Sequence, residues 1–559
     1  MKDWNELMPS SHTDTFSRDR LPPKDQLPVF MADLPELNYP DQLNCAVELV
    51  DRHVREGRGD RIALHGVSDF NKGGGDFSWT YAQLQDKSNR IAQVLTQDMG
   101  LVPGNRILLR GGNSPMMAAC LLGTIKAGLV AVPTMPLLRA GELAQIIDKA
   151  QVSAALCDSL LADELQHSMT PGHASHVPCL KQMVLFRSEA ADGLEQRMQR
   201  HNALYTLHAT SRDDVCLIAF TSGTTGKPKG TMHFHRDVLA MCDLFPRHIL
   251  HMTENDVVCG TPPIAFTFGL GGLLAFPLRF CASTVLLEKH TPETLLQTVA
   301  KYRVTQCYTA PTMYRQMATM AGQHDLSSLK HPVSAGEALP DATRQLWKQA
   351  TGIEMTDGIG GTEVIHIYIS SAGQQVRAGS IGHVVPGYVA QIVDDDMQPV
   401  PPGVVGRLAV RGPTGCKYLA DPRQKDYVKN GWNLPGDTFV MDADGYFSYQ
   451  ARNDDMIISA GYNIAGPEVE GALLQHPAVA ECGVVGMPDA DRGHIVQAYV
   501  VLKPGHTGDA TMEKALQEHV KQTIAPFKYP RKVVFLDALP RTETGKLQRF
   551  KLRQISVIK

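Results

Sequence analysis

The stretch "RILLRGGNSPMMAACLLGTIKAGLVAVP", residues 106–133, predicts the fold class. Residues 106–111 form an apolar run that indicates a buried strand. Residues 114–128 indicate a helix, because a serine cap and a proline stand at its start. Residues 129–133 indicate the next strand. A strand, a helix and a strand in this order form a βαβ unit, whose two strands are parallel. The stretch therefore predicts an α/β fold built on parallel sheets.

The same alternation recurs on both sides of this unit. Apolar runs at 215–220, 283–288 and 306–311 indicate strands, and residues 291–304 indicate a helix between the last two. Between about 380 and 450, short β runs are separated by Pro, Gly and Asp, which indicates antiparallel hairpins or a small barrel. A mixed α/β unit of about 100 residues follows. The Pro-rich residues 1 to about 45 are expected to wrap a domain surface.

Composition excludes several classes of protein. The chain has 559 residues and a net charge of −4, which argues against binding nucleic acid through a basic face. The most apolar stretch is interrupted by Lys126 and by glycines, so no membrane span is expected, and the N-terminus lacks an apolar signal core. The 11 cysteines form no Cys-x-x-Cys pair, which is typical of reduced thiols and predicts a cytoplasmic location.

The glycine-rich loop "TSGTTGKPKG", residues 221–230, predicts a phosphate site. It is not a Walker A loop, because Thr221 replaces the first glycine and Pro228 replaces the magnesium-binding hydroxyl. Its three glycines allow positive φ and close backbone approach, so that successive N–H groups can hold an anion. The alternative is a flexible surface turn. The loop's candidate phosphate ligands are Thr221, Ser222, Gly223, Thr224, Thr225, Gly226, Lys227 and Lys229, and its third glycine is Gly230.

Four further motifs follow this loop in order. They are DGIGGTE (357–363), GWNLPGDTFVMDADGYF (431–447), ARNDDMIISAGYNIAGPEVE (451–470) and PRTETGKLQ (540–548). The five motifs together resemble the signatures of the adenylate-forming superfamily of acyl-CoA synthetases, luciferases and adenylation domains. The resemblance implies a large N-terminal domain, residues 1–453, of parallel βαβ-type sheets with a small β-barrel-like subdomain. It also implies a small mobile α+β C-terminal domain, residues 454–559.

The resemblance implies a two-step reaction that uses ATP, Mg²⁺ and coenzyme A. A carboxylate attacks the α-phosphate of ATP to give an acyl-adenylate and pyrophosphate, and a thiol then displaces AMP. Thr362 is expected to bind phosphate and Glu363 to lie in the Mg²⁺ shell, where one carboxylate is enough. The alternative for Glu363 is a carboxylate at a helix start.

The rest of the nucleotide site is implied in the same way. Asp437 is expected to accept the ribose hydroxyls with help from Arg452, although Asp437 could also be a turn residue. The adenine is expected between two short segments, Gly336–Glu337–Ala338 and Asp357–Gly358–Ile359. Two positions depart from the family pattern: Pro435 stands where a threonine is usual, and Ile359 replaces an aromatic residue that packs against the base.

Lys546 is the expected catalytic lysine of the first step, since an ammonium can reach both the carboxylate and the α-phosphate. In isolation it could be a solvated lysine of a basic tail. Asp454 matches the hinge about which the small domain turns between the steps, and Gly461 matches a small residue of the pantetheine tunnel.

The acyl pocket is expected near residues 262–272. Two phenylalanines there indicate a flat, small acid, and the residues resemble the benzoate–CoA ligase branch, the 2-aminobenzoate ligases most closely. His366 could face the ring, accept a hydrogen bond from an ortho substituent, or be a core histidine. The pocket candidates are Phe266, Thr267, Phe268, Gly269, Ala335 and His366.

The sequence therefore predicts an aryl-acid:CoA ligase for a small aromatic carboxylic acid. The alternatives are loading of an acyl carrier protein, another small acid, a luciferase-like oxygenase and an idle nucleotide sensor. Intact Glu363, Asp437 and Lys546 argue against the sensor. The spacing of His233 and His235 could supply two zinc ligands, but helix entry or core packing is favoured, because no cysteine or carboxylate cluster accompanies them. The oligomer is left open between a monomer and a homodimer.

Overall fold

The strands of the large domain are seen in a computed structural model, which describes residues 3–67, 76–221, 228–452, 455–459, 462–489, 493–524, 526–541 and 547–555. Within these ranges, the first fifteen strands are β1 Ile62–Val67, β2 Phe77–Thr80, β3 Arg106–Arg110, β4 Val130–Thr134, β5 Ala154–Asp158, β6 Gln182–Phe186, β7 Val215–Thr221, β8 Lys229–Phe234, β9 Val257–Gly260, β10 Ser283–Leu287, β11 Gln306–Thr309, β12 His331–Ser334, β13 Thr356–Gly360, β14 Ile367–Ser371 and β15 His383–Val384.

Two smaller groups of strands follow. The first group is β16 Val389–Val393, β17 Gly406–Arg411, β18 Val428–Lys429, β19 Trp432–Asn433, β20 Asp437–Met441 and β21 Phe447–Arg452. The second group is β22 Ile457–Ser459, β23 Tyr462–Ile464, β24 Val479–Asp489, β25 Gly493–Leu502 and β26 Lys532–Phe535.

The α-helices of the described ranges vary from single turns to about four turns. They are α1 Phe16–Asp19, α2 Arg52–Arg55, α3 Tyr81–Gln93, α4 Pro115–Lys126, α5 Ala140–Ala150, α6 Ala162–Met169, α7 Leu194–Gln199, α8 His235–His248, α9 Thr267–Gly269, α10 Phe276–Arg279, α11 Pro292–Tyr302, α12 Pro311–Ala318, α13 Asp341–Thr351, α14 Gln424–Tyr427, α15 Gly466–Leu473, α16 Ala510–Thr523 and α17 Arg549–Ile555.

Two large sheets form the body of the protein. One has the order β15-β14-β13-β12-β11-β9-β10-β1-β2 and the other the order β6-β5-β3-β4-β7-β8. Their central pairs are parallel, as in β3–β4 and β11–β12, whereas edge pairs such as β13–β14 and β7–β8 are antiparallel. The α/β fold predicted from residues 106–133 is confirmed, with antiparallel strands added at the edges.

The largest core lies between these two sheets. It contains apolar side chains of both sheets and of α3, α4 and α8, and separate cores cover the outer faces. Helix α4 begins as predicted, because the side chain of Ser114 accepts a hydrogen bond from the backbone N–H of Met117 and Pro115 takes the first position. Lys126, which interrupts the apolar run, is buried and lies 2.8 Å from Asp51.

The two smaller sheets match the change of sequence texture after about residue 380. The first contains β16–β21 and is antiparallel. The predicted range begins slightly early, because β15 pairs with β14 of the large sheet. The second contains β22–β26 and packs against α15 and α16 around its own core. Among the helices in the described ranges, none is long and apolar enough to cross a membrane.

Candidate active site

The predicted phosphate loop connects two antiparallel strands. β7 and β8 pair with Thr221 opposite Lys229 and Phe220 opposite Gly230. A P-loop instead joins a strand to a helix, so the backbone agrees with the exclusion of a Walker A loop. Gly230 is extended rather than at positive φ; a Cβ there would lie 2.9 Å from the ring of Phe220, so its role is close approach. Six of the candidate phosphate ligands, Ser222, Gly223, Thr224, Thr225, Gly226 and Lys227, lie outside the described residues.

Tyr418, which lies outside the five motifs, connects Lys229 at the end of this loop with Glu363. The hydroxyl of Tyr418 donates a 2.6 Å hydrogen bond to Oε1 of Glu363, and Nζ of Lys229 lies 3.4 Å from the same hydroxyl. Residues 417–419 run beside β8, where the N–H of Leu419 donates to the carbonyl of Gly230. Burial, reinforced by the Glu363 charge, raises the pKa of Tyr418, so the hydroxyl stays protonated and remains a donor.

Thr362 and Glu363 lie on the tight turn between β13 and β14. The turn contains a short 3-10 segment, Thr362–Val364, and then Ile365 at φ +70°. A β-branched residue in this region is strained by about 1–3 kcal/mol. A Cβ on Gly360 would meet the carbonyl of His366 at 2.5 Å. The same turn carries the candidate metal ligand Glu363 and the pocket residue His366.

The two predicted adenine segments are neighbours. β12 and β13 are parallel, with Ser334 opposite Asp357, and Gly336 after β12 has φ +91°. Burial raises the pKa of the Asp357 carboxyl to about 7, against the opposing effect of Arg344. The first segment follows the carboxyl end of β12, which is where ligands bind in open α/β sheets, and the second lies within β13 beside it. The members of these segments are Gly336, Glu337, Ala338, Asp357, Gly358 and Ile359.

The predicted ribose residues face each other across two strands. Asp437 begins β20, and its backbone is in register with Arg452 at the end of β21. The Asp437 side chain is buried, with 7% of the residue exposed. The hinge residue Asp454, the tunnel residue Gly461 and the catalytic lysine Lys546 lie outside the described residues, and so does the side chain of Arg452.

The predicted acyl pocket gathers around His366. Its ring lies 5.8 Å from that of Phe268, 5.8 Å from that of Phe245 and 4.5 Å from that of Phe276, the last edge-on. Thr267 and Gly269 are buried on α9 beside Phe268, Ala335 is buried just after β12, and Phe266 is half-buried. A Cβ on Gly269 would come within 2.1 Å of the carbonyl of Pro263, so this position requires glycine.

His366 is neutral and keeps one nitrogen available. Burial lowers the pKa of its imidazole to about 3. Nε2 lies 3.4 Å from the carbonyl of Phe268 and can only donate to it, which leaves Nδ1 as an acceptor. Within the described part of the chain, Nδ1 is buried and has no hydrogen-bond partner. A Cβ on Gly271 would lie 2.4 Å from Cδ2 of this ring, so the glycine allows the imidazole to occupy its place.

Sequence reasoning missed the residues that support the site from other elements. Phe245 lies on α8 and Phe276 on α10, while Tyr418 and Tyr427 flank Glu363 from the segment before and within α14. No motif contains these four residues. Their aromatic character was visible, but their position beside the site depends on how distant elements pack.

His233 and His235 do not form a shared metal site in the structure. His235 begins α8, as helix entry predicts, and its Nδ1 accepts from the backbone N–H of Cys45 at 3.2 Å. Its Nδ1 also lies 3.3 Å from the thiol of Cys45, and Cys216 completes a buried group of three. The backbone N–H aimed at Nδ1 disfavours a cation there. His233 instead lies beside Asp237. Cysteine and carboxylate side chains therefore do accompany the two histidines in the fold, contrary to the sequence expectation.

Comparisons with known proteins identify the family of the chain. The family model "AMP-binding enzyme" matches residues 50–418, and the model "AMP-binding enzyme C-terminal domain" matches residues 468–546. The chain is 34% identical to the benzoate–CoA ligase of Thauera aromatica, over 93% of this chain and 97% of the relative.

Two solved structures are similar over nearly the whole chain. An anthranilate CoA ligase in complex with anthranoyl-AMP is 31% identical with a TM-score of 0.87, covering 94% of this chain and 100% of that one. A benzoate CoA ligase from Burkholderia xenovorans LB400 is 30% identical with a TM-score of 0.81, covering 91% of this chain and 100% of that one. These similarities confirm the fold class predicted from the motifs.

Proposed function

The chain belongs to the AMP-binding enzyme family, and we propose that it is an aryl-acid:CoA ligase for 2-aminobenzoate or benzoate. It is an AMP-forming CoA ligase that uses ATP, Mg²⁺ and coenzyme A. The carboxylate and ATP give the aryl-adenylate and pyrophosphate, and the CoA thiol then gives the aryl-CoA and AMP. The adenylation step is the first half-reaction and thioester formation is the second.

The observation that carries the substrate proposal is the aromatic enclosure of His366. Three phenylalanine rings surround a neutral imidazole whose Nδ1 can accept a hydrogen bond. Aromatic rings prefer offset or edge-on contacts with such walls, so a flat aryl acid fits better than a flexible chain. An amino group next to the carboxyl would offer an N–H donor to Nδ1, which supports 2-aminobenzoate.

The nucleotide is proposed to lie across the ends of β12, β13 and the β7–β8 hairpin. Lys229 and the residues of the preceding loop hold the β- and γ-phosphates, Asp437 and Arg452 hold the ribose, and Thr362 binds phosphate. Lysine and hydroxyl donors suit anionic oxygens. The pairing of Thr221 with Lys229 and of Asp437 with Arg452 supports these roles.

Mg²⁺ is proposed to bind Glu363, and the residues present fit such an ion. Tyr418 occupies one carboxylate oxygen of Glu363 and leaves further lone pairs. Mg²⁺ commonly takes one or two carboxylates together with substrate phosphates and waters. When bound, it neutralises charge on the phosphates as pyrophosphate leaves.

Lys546, Asp454 and Gly461 complete the proposal in the C-terminal part of the chain. Lys546 stabilises the first half-reaction, Asp454 is the hinge between domains 1–453 and 454–559, and Gly461 lines the pantetheine tunnel. This boundary falls between the two family-model matches, which end at residue 418 and begin at residue 468, and that gap supports it.

The experiment that tests the function is an AMP-forming CoA-ligase assay over a panel of acids. The panel contains benzoate, 2-aminobenzoate, the hydroxybenzoates and medium-chain acids, each with ATP, Mg²⁺ and CoA. We expect the highest kcat/KM with 2-aminobenzoate or benzoate. Higher kcat/KM with a medium-chain acid than with every aryl acid would refute the aryl proposal.

A carrier protein is the second candidate acceptor. Single-turnover transfer from the aryl-adenylate to CoA and to a phosphopantetheinylated acyl carrier protein separates the two. A cytoplasmic location is proposed as well, because all 11 cysteines are free thiols and free thiols persist in reducing compartments. Sedimentation distinguishes a monomer from a homodimer.

A further inference from the structure

One ion pair joins the adenine segment of the large domain to the C-terminal part of the chain. Nη1 of Arg541 lies 2.9 Å from Oε1 of Glu337. Glu337 follows β12, whereas Arg541 is 204 positions later in the sequence. The two side chains are only 25% and 17% exposed, so the pair is shielded from water more than an ordinary surface pair and attracts more strongly.

Arg541 also belongs to the base of the segment that contains Lys546. This base consists of residues 540–541 on one side and 547–548 on the other. The N–H of Gln548 donates to the carbonyl of Pro540 at 2.9 Å, and Arg541 and Leu547 form an antiparallel bridge. Lys546 is next to Leu547 in sequence. The backbone bonds on both sides of residues 542–546 therefore tie the two ends of this segment together.

Strand β24 fixes this base within the small domain. Nη2 of Arg541 donates to Oε2 of Glu481 at 2.9 Å. Leu547 lies against Gly483, where a Cβ would come within 2.7 Å of Cδ2 of the leucine. Residues two apart on a strand share a face, so Glu481 and Gly483 hold Arg541 and Leu547 from the same side. The guanidinium fork can bind two carboxylates at once, and its second carboxylate is that of Glu337.

We propose that Arg541 is a positioning residue of the first half-reaction, acting through its ion pair with Glu337. The pair holds the base of the Lys546 segment beside the adenine segment, in the domain arrangement seen here. An ion pair of this length cannot survive a large rotation of one domain, so it opens before the second half-reaction. The inference rests on the proposed function, since it assigns the pair to one of the two steps.

The test compares the two half-reactions in R541Q, E337Q and the double variant. The first is followed by acid-dependent ATP–pyrophosphate exchange, and the second by single-turnover reaction of supplied aryl-adenylate with CoA. We expect each single variant to lower exchange by about 10-fold, the scale of one charge-assisted hydrogen bond, while the second rate is unchanged or higher. The double variant should lose no more than R541Q alone, because R541Q already lacks the bond to Glu337.

Two further variants separate positioning from general stability. R541K keeps a cation in reach of Glu337 and should recover part of the exchange rate. K528Q removes a different ion pair of the small domain, between Lys528 and Glu468 at 2.6 Å, and should leave the ratio of the two rates as in the unmodified enzyme. Equal losses in both half-reactions of R541Q, or fully additive losses in the double variant, would overturn the proposal.

Hydrogen exchange gives a readout that does not depend on the substrate. In the protein without ligands, we expect the backbone amides of residues 335–339 to exchange faster in R541Q than in the unmodified chain, and K528Q to have no such effect. Unchanged hydrogen exchange at residues 335–339 would overturn the ion-pair proposal even if no aryl acid were activated. If the unmodified enzyme showed no acid-dependent ATP–pyrophosphate exchange, the proposed function alone would be refuted.

Discussion

The hydroxyl of Tyr418 and the carboxylate of Glu363 are joined by a 2.6 Å hydrogen bond across 55 positions of sequence. Tyr418 is held in place by the pairing of residues 417–419 with β8, and it remains protonated because burial and the nearby carboxylate raise its pKa. The bond fixes one oxygen of Glu363 and orients the other. The segment at residues 417–419, which pairs with the strand after the phosphate loop, thereby controls the direction of the proposed Mg²⁺ ligand.

Replacing Tyr418 with Phe should lower the rate of pyrophosphate exchange when Mg²⁺ is limiting, because Glu363 is then no longer held in one orientation. A hydrogen bond to a charged group contributes about 1.5–3 kcal/mol, so we expect about a 10-fold or greater fall in pyrophosphate exchange at limiting Mg²⁺, recovered in part at high Mg²⁺. A Mg²⁺ titration of the exchange rate measures this. Tyr446→Phe is the control, because the Tyr446 hydroxyl donates to the carbonyl of Gln375 at the surface. An unchanged Mg²⁺ titration in Tyr418→Phe would contradict the orienting role.

Replacing His366 with Leu should change substrate preference rather than abolish activity. Leucine removes the Nδ1 acceptor and keeps the pocket apolar. A site that loses its partner for a substrate N–H discriminates less, so kcat/KM for 2-aminobenzoate relative to benzoate should fall by about 10-fold. His366→Asn supplies an oxygen acceptor and should restore part of the ratio. If both acids lose the same factor in His366→Leu, the histidine serves packing alone.

The elements that depend on local sequence could be predicted. Residues 106–133 specify a βαβ unit through apolar runs and a Ser–Pro helix start, and the structure has β3, α4 and β4 at these positions. The side-chain pairs that span long sequence separations could not be predicted. Tyr418 meets Glu363, and Arg541 meets Glu337, only because separate elements pack together, and no residue spacing encodes that packing.

Gly230 shows a smaller limit of local reasoning. Its place in a glycine-rich loop predicted both positive φ and close backbone approach, and only the close approach is found. The structure has it extended in β8, under the ring of Phe220. The sequence pattern identifies a glycine that is needed, but the neighbouring strand determines which property of glycine is used.

Replacing Asp357 with Asn should stabilise the protein above neutral pH. The folded pKa of Asp357 is raised from 3.8 to about 7 by burial. Between these values the folded state keeps a proton that the unfolded state has released, so stability falls as pH rises, and the loss is complete above about pH 7. Asparagine cannot ionise, and its oxygen can still accept from the N–H of Gly358, as Oδ1 does now at 2.9 Å.

The difference in melting temperature between Asp357→Asn and the unmodified protein should therefore be larger at pH 8 than at pH 5. Thermal unfolding without nucleotide measures it. An equal difference at both pH values would show that this carboxyl does not titrate abnormally.

Replacing Lys546 with Ala should abolish the first half-reaction and leave the second largely intact. The ammonium neutralises charge where the carboxylate approaches the α-phosphate, which happens only during adenylation. Pyrophosphate exchange and the reaction of supplied aryl-adenylate with CoA measure the two steps. Lys551→Ala, at an exposed position of α17, is the control and should retain both. Equal loss in both steps for Lys546→Ala would refute its assignment.

Replacing Asp454 with Pro should separate the two half-reactions in the opposite sense. Proline fixes φ near −65° and removes the backbone N–H, so a hinge that must change its φ angle can no longer do so. Pyrophosphate exchange should be spared, whereas thioester formation should slow. Asp454→Ala removes the same carboxylate but leaves φ free, and it should behave as the unmodified enzyme in both assays. Comparing the two variants separates the effect of restricted backbone rotation from the effect of losing the carboxylate. An unchanged overall rate in Asp454→Pro would show that the hinge does not lie at this position.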